Sequence, residues 1–182
     1  MKSIHNLGDS PAGIPLAADE LLEFHAARLL LLFRFCGTAN RIDGLTKMAK
    51  LDFFVRYPQF FDRACEVLGF PAKSTSESVE SSMIRFHYGP WDDRYYHILS
   101  FLESRGLLEV SKHKNAYRLT LTESGKSAAN EMAKDSSFNT LIEQMKLVKK
   151  TLGKKAGSAL KNLIYDIFEK EVGQRSMREV IQ

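Results

Sequence analysis

Apolar residues crowd the chain most densely between Leu21 and Phe35, where Leu21, Leu22, Phe24, Leu29–Phe33 and Phe35 recur at almost every step. This pattern predicts a helix from about residues 17–19 to Cys36 whose C-terminal half is apolar around nearly its whole circumference. Such a helix is buried, either in its own core or against a partner. Helical spacing returns at residues 45–56, with Leu45, Met48, Ala49, Leu51 and Phe53 facing inwards, and at 59–68. It returns again at 92–105, where Tyr95, Ile98, Leu99 and Leu102 share a face, and in a polar segment at 123–134. Two last helices are expected at 138–152 and 156–172, with stripes that include Ile142, Met145 and Val148 and then Leu160, Ile164 and Phe168. Alternation at Met83–Tyr88 predicts a short strand, and Leu107–Ser111 and Tyr117–Leu121 two more.

Punctuation residues divide these runs. Pro58 pushes Tyr57 out of the α region and breaks the chain between two helices. Gly69 and Gly106 stand where a helix C-cap requires positive φ. Residues 37–44 read as a loop, and Gly89-Pro90 as a stop. The serine-rich stretch 71–82 reads as a loop or insertion. Thr122 is placed to cap the helix that follows it. From residue 89 onward the order is helix, glycine, strand, the basic turn Lys112-His113-Lys114-Asn115, strand, helix. That is the layout of the second half of a winged-helix domain. The expected fold is therefore mainly α with a small β-hairpin wing: a winged helix-turn-helix with N- and C-terminal helical extensions. Residues 1–16 form a flexible arm, 17–135 the winged-helix domain with its insertion at 71–82, and 136–182 the C-terminal extension.

Charge changes the picture modestly. The 182 residues carry 26 Lys+Arg and 22 Asp+Glu, a net +4. Residues 1–90 are balanced, so the whole excess is C-terminal. A mild surplus of this kind permits nucleic-acid binding without requiring it. The two cysteines, Cys36 and Cys65, sit in apolar surroundings and read as reduced core residues. No apolar run behind a basic start suggests a secretory signal. Leu29–Phe33, bracketed by Arg28 and Arg34, falls far short of the roughly 20 residues a membrane span needs. A cytoplasmic protein is expected.

The segments Phe101-Leu102-Glu103-Ser104-Arg105-Gly106-Leu107-Leu108 and Tyr117-Arg118-Leu119-Thr120-Leu121-Thr122, with Gly125, resemble bacterial winged-helix regulators of the MarR-like and PadR-like kind. The resemblance spans residues 45–132. It implies that the first segment ends a recognition helix and enters the wing, and that the second is the returning strand. Tyr88-Gly89-Pro90-Trp91-Asp92 also looks like a segment of uncharacterised winged-helix proteins from bacterial defence loci. One departure is that, with Leu45–Arg56 taken as the first helix of the helix-turn-helix pair, Pro58–Gly89 separates two helices that ordinarily lie a few residues apart.

Winged helices dock the start of the second helix on base edges and send the wing to phosphates. The residues expected to contact nucleic acid are Arg94 and His97 on the helix and Lys112, Lys114, Asn115 and Arg118 on the wing. Lysines at a hairpin tip also suit any solvated turn. Asp92 and Asp93 favour the helix dipole but would repel phosphate. Trp91 and the pair Tyr95–Tyr96 read as core plugs rather than base-stacking platforms. Residues 146–161 hold six lysines, and no acid lies between Gln144 and Tyr165, so a basic patch crosses the last helix pair. Gly125-Lys126-Ser127 follows a strand and opens a helix, but Thr120 occupies the place of the glycine a phosphate loop needs. The five histidines have no cysteine or carboxylate spacing that completes a metal set, and no catalytic motif accompanies the acids. The sequence thus points to a non-enzymatic protein without cofactors. One reading is a DNA-binding regulator or DNA sensor, acting on double-stranded DNA as a homodimer through its outer helices. The other is an adaptor subunit of a bacterial multi-protein complex, using the winged helix to bind protein.

Overall fold

The computed structural model describes residues 21–71, 74, 83–113, 116–174 and 176–181. The N-terminal arm, most of the serine-rich stretch and the wing-tip residues Lys114 and Asn115 lie outside the described residues. The fold is mainly helical with a small antiparallel sheet. In chain order it runs α1 (Leu22–Phe35), β1 (Arg41–Asp43), α2 (Leu45–Arg56), α3 (Pro58–Leu68), β2 (Ile84–Phe86), β3 (Gly89–Trp91), α4 (Tyr95–Ser104), β4 (Leu108–His113), β5 (Ala116–Leu121), α5 (Glu123–Met132), α6 (Asn139–Leu152) and α7 (Gly157–Ile167). No helix among the described residues is long and apolar enough to cross a membrane.

Local chemistry sets most boundaries where the sequence places them. Pro58 sits in the first turn of α3, where its missing N–H costs nothing, and Gly69 closes that helix in the left-handed region at φ 70°. Gly106 turns out of α4 at φ 67°. Thr122 caps α5 by accepting a hydrogen bond from the Gly125 amide at 3.0 Å. Its hydroxyl also donates to the Gly106 carbonyl at 2.6 Å, so one side chain ties both ends of the β4–β5 hairpin.

Several boundaries differ from the sequence reading, and α1 starts at Leu22, behind an extended Leu21, rather than at residues 17–19. The loop 37–44 contains β1, which pairs with β5, giving a three-stranded sheet of order β1-β5-β4. Gly89-Pro90 is not a stop but part of β3, paired with β2. The backbone of residues 178–181 runs beside β2: Ile181 N donates to Met83 O at 2.8 Å and Arg85 N to Glu179 O at 2.8 Å. The central helix starts at Tyr95 rather than Asp92, and the last helix leaves the α form after Ile167 for a π turn at Glu169–Gly173.

The apolar run of α1 is sealed within one chain, with Leu29–Phe33 all at most 3% exposed. Its all-round apolar character therefore requires no second copy. The more enclosed element is α2, whose residues Met48–Arg56 are all buried. It lies among α3, α6, α7, β1 and β3. Each large apolar side chain sealed in this way contributes roughly 1.5–3 kcal/mol. At its end, Phe53, Tyr57, Phe60 and Phe168 form an aromatic knot with ring centroids 4.7–6.4 Å apart. Both thiols are free and buried. Burial pushes the Cys36 thiol up to about 12, against the opposing pull of Lys149 and Lys47, so it stays protonated and unreactive.

Enclosure of α2 also buries Lys50, which is 1% exposed and donates from Nζ to the Pro90 carbonyl at 2.8 Å. Burial, helped by the positive charge of Lys161, pulls its ammonium down to about 7. The unfolded chain would hold this proton up to about pH 10. Between pH 7 and about 10 the unfolded state therefore binds more protons at this site, and stability rises with pH. Urea midpoints of wild type and Lys50→Met, compared across that window, are expected to converge as pH rises. A constant offset would place the proton elsewhere.

Candidate nucleic-acid interface

The exposed side of α4 and the β4–β5 hairpin form one surface. Tyr95, Ile98, Leu99 and Leu102 turn inwards. Tyr96, His97, Ser100, Glu103 and Ser104 are left on the outside. The hairpin follows directly through Gly106, because Leu107 N bonds Leu102 O at 2.9 Å. Its register pairs Lys112 with Tyr117 and Ser111 with Arg118. Leu108, Leu119 and Leu121 hold its base on the core. Between α4 and the hairpin lies a cleft of about 180 Å³, lined by residues that include Leu45, Tyr96, Leu99, Val110 and Tyr117. Glu103, the acid on this face, accepts from the Val110 amide at 3.2 Å.

Gly125, part of the tempting Gly-Lys-Ser motif, serves packing. A Cβ there would lie 1.9 Å from the Leu107 carbonyl oxygen, so only glycine lets α5 sit against the start of the hairpin.

The predicted contact residues do not gather in one place. His97 and Lys112 are exposed on the α4–hairpin surface. Arg118 is partly exposed and lies 3.8 Å from the Asp43 carboxylate on β1. Lys114 and Asn115 lie outside the described residues. Arg94 does not extend to a base edge. Its Nε and Nη2 both meet Asp92 at 2.8 Å, and its Nη1 lies 2.6 Å from His25 Nε2. A helix-start arginine beside an aspartate reads as outward-pointing from sequence. The inward turn became visible only with His25 of α1 in place.

Arg94 belongs to a buried chain of charges that positions α4. Asp52 of α2 accepts from Arg28 Nε at 3.1 Å and from the Tyr95 hydroxyl at 2.7 Å, and Arg56 Nη1 lies 3.6 Å away. Arg56 Nη1 also donates to Asp92 at 2.9 Å. Arg28 Nη1 lies 2.8 Å from His25 Nδ1, so the imidazole sits between two guanidiniums. Burial pushes the Asp92 carboxyl up, but the Arg94 hydrogen bonds and the Arg56 charge overcome it and hold the group well below the usual carboxylate range. Burial likewise raises Tyr95 well above 10, so its hydroxyl stays a neutral donor to Asp52. Asp93 is exposed and pairs with Arg178 at 3.1 Å. The acidic start of α4 thus carries little uncompensated charge. Nor do its aromatics offer a stacking platform as a set, since Trp91 and Tyr95 are buried and only Tyr96 stands out at 61% exposed.

The C-terminal basic patch lies away from α4. Lys149, Lys150 and Lys154 border a groove of about 740 Å³ whose opposite wall is Arg34, Phe35 and Thr38 at the end of α1. No group of three or more His, Cys, Asp or Glu suited to a metal ion occurs among the described residues. Compared with known proteins, the chain matches no protein-family model, no curated protein and no solved structure.

The charge chain generates two expectations. Asp52→Ala leaves two buried arginines short of a counter-charge and is expected to cost about 3–5 kcal/mol, read as a loss in urea-unfolding free energy. The depressed Asp92 contributes stability that is complete above its unfolded value of about 4 and is lost as pH falls below it. An acid titration of stability is expected to lose part of this slope in Asp92→Asn. An unchanged slope would mean that another carboxylate carries it.

Proposed function

We propose that this chain is a winged-helix protein that binds double-stranded DNA, with α4 as the recognition helix and β4–β5 as the wing. The observation that carries the reading is the sheet order β1-β5-β4. A first helix, a short edge strand, a second helix, a recognition helix and a hairpin whose last strand pairs back to the first strand make up the winged-helix arrangement. α1, β1, α2, α4, β4 and β5 follow one another in that order, which supports the reading. The segment between α2 and α4 holds α3 and the β2–β3 hairpin, and it packs into the same core through Phe60, Phe61 and Met83. The insertion is accommodated without displacing the order of the other elements.

Compensation of Asp92 and Asp93 by arginines removes the main electrostatic objection to placing the start of α4 near phosphates. His97 and Ser100 then face a groove, and Lys112 on the wing reaches the backbone. Affinity comes from counterion release at the lysines, and sequence preference from the helix. The role is non-catalytic, in transcriptional regulation or DNA sensing. A second reading rests on the cleft between α4 and the wing. Exposed Tyr96 and Tyr117 flank apolar Leu99 and Val110 there. Aromatics around an apolar slot suit a protein segment, as in an adaptor subunit.

A salt-titrated binding assay with random duplex DNA, run beside light scattering, separates the two. Lys112→Ala/Lys114→Ala is expected to weaken binding across all sequences and to lower the salt slope by about 1–2 units. Binding unchanged in this variant would remove the wing from the DNA-contacting surface, and the absence of salt-dependent duplex binding by the wild type would favour the adaptor reading.

A further inference from the structure

We infer that the groove between the ends of α1 and α6 is a second phosphate-backbone site, which takes the same duplex the wing contacts. The inference rests on the DNA-binding reading above. It adds a surface that neither the helix nor the wing supplies.

The groove is concave and one-signed. None of its lining residues is acidic. Lys146, at its margin, is paired with Glu143 at 2.7 Å. Lys149, Lys150 and Lys154 are exposed and have no carboxylate partner among the described residues. Arg34 is held by neutral oxygens alone, with Nε donating to Asn130 Oδ1 at 2.8 Å and Nη1 to Asn40 Oδ1 at 3.2 Å. Those bonds fix the guanidinium without cancelling its charge.

The ordinary explanation for cations at a helix end is the helix dipole. Each C-terminus is equivalent to about −0.5 charge, so α1 and α6 together offset only about one cation. Four remain uncompensated here before that offset. Gathered in one concavity they focus a positive potential towards solvent.

An extended polyanion fits better than a small anion because the cationic surface continues beyond the groove. Thr38 in the groove wall exchanges backbone hydrogen bonds with Arg41 at 2.9 and 3.1 Å. Arg41 and Arg118 then share the single Asp43 carboxylate on the β1 edge of the sheet, at 3.1 and 3.8 Å, so a net positive charge remains on the way to the wing strand β5. Duplex DNA presents a charge every ~1.7 Å of its axis and can engage such a path along its length. The groove lysines are flexible point charges, suited to positioning a backbone rather than reading bases.

The test uses the full chain and a fluorescent random duplex over a range of salt concentrations. Lys149→Ala/Lys150→Ala/Lys154→Ala is expected to lose roughly tenfold or more in affinity at ~0.1 M salt and to lower the salt slope by about 2–3 units, at roughly 0.9 per phosphate contact. These side chains are exposed, so the thermal midpoint should be unchanged. The triple arginine variant, which keeps the charge, should bind like wild type. Wild-type affinity and slope in the triple alanine variant would overturn the inference. Competition by polyglutamate as effective as that by duplex would also overturn it, because the groove would then serve an acidic protein. If the groove variant binds normally while Lys112→Ala/Lys114→Ala is impaired, the inference fails and the wing reading stands. The reverse result removes the wing and keeps the groove. No binding by wild type removes both.

Discussion

The Asp52 carboxylate is the point on which the arrangement of the first, second and fourth helices depends. It is fully buried, yet it receives an arginine from α1, an arginine from its own helix and a tyrosine hydroxyl from α4. An isolated carboxylate there would be prohibitively costly to desolvate. The same low dielectric that makes it costly makes its partners hard to remove once they are in place. Hydrophobic packing could bring α1, α2 and α4 together in several registers. Only one register gives Asp52, Arg28, Arg56 and Tyr95 their mutual bonds. The network extends through Arg56 to Asp92 and on to Arg94 and His25, so it also fixes where the chain enters α4.

That fixing bears on function. A helix meant to present side chains to a partner must hold its pitch and rotation, and loose packing on apolar residues alone tolerates slippage. Here Tyr95 supplies both an apolar ring and a polar anchor, and Trp91 packs edge-on against it at 5.1 Å. The outer side of α4 is left to Tyr96, His97, Ser100 and Glu103. Arg94 illustrates the point: a residue that reads from sequence as free for an outside contact is bonded to Asp92 and His25 and locks the entry to its own helix.

Short-range signals made much of the fold legible in the sequence. Pro58, Gly69, Gly106 and Thr122 each act through their own backbone or a neighbour within three residues, and the elements they bound lie where expected. β1 was not legible, because three residues in a loop become a strand only when β5 lies beside them. β3 was hidden by Gly89-Pro90, a pair that ordinarily signals a break. Lys50, Asp52 and Arg56 fall outside the apolar stripe of α2, and nothing local indicates that Pro90 would meet the first, Arg28 and Tyr95 the second and Asp92 the third. For the candidate site, His97, Lys112 and Arg118 were visible as surface chemistry, whereas the inward turn of Arg94 and the groove facing Arg34 depend on residues far apart in the chain. The lysines of α6 were visible as a patch, but their concavity was not.

The contact between Gly125 and the Leu107 carbonyl has a mechanical meaning. Backbone meets backbone there, with no flexible side chain between to absorb motion. The root of the hairpin and α5 therefore shift together. At the far end of α5, Asn130 grips the guanidinium of Arg34, which stands in the wall of the basic groove. One ten-residue helix thus carries the hairpin root at its start and a contact to the basic groove near its end.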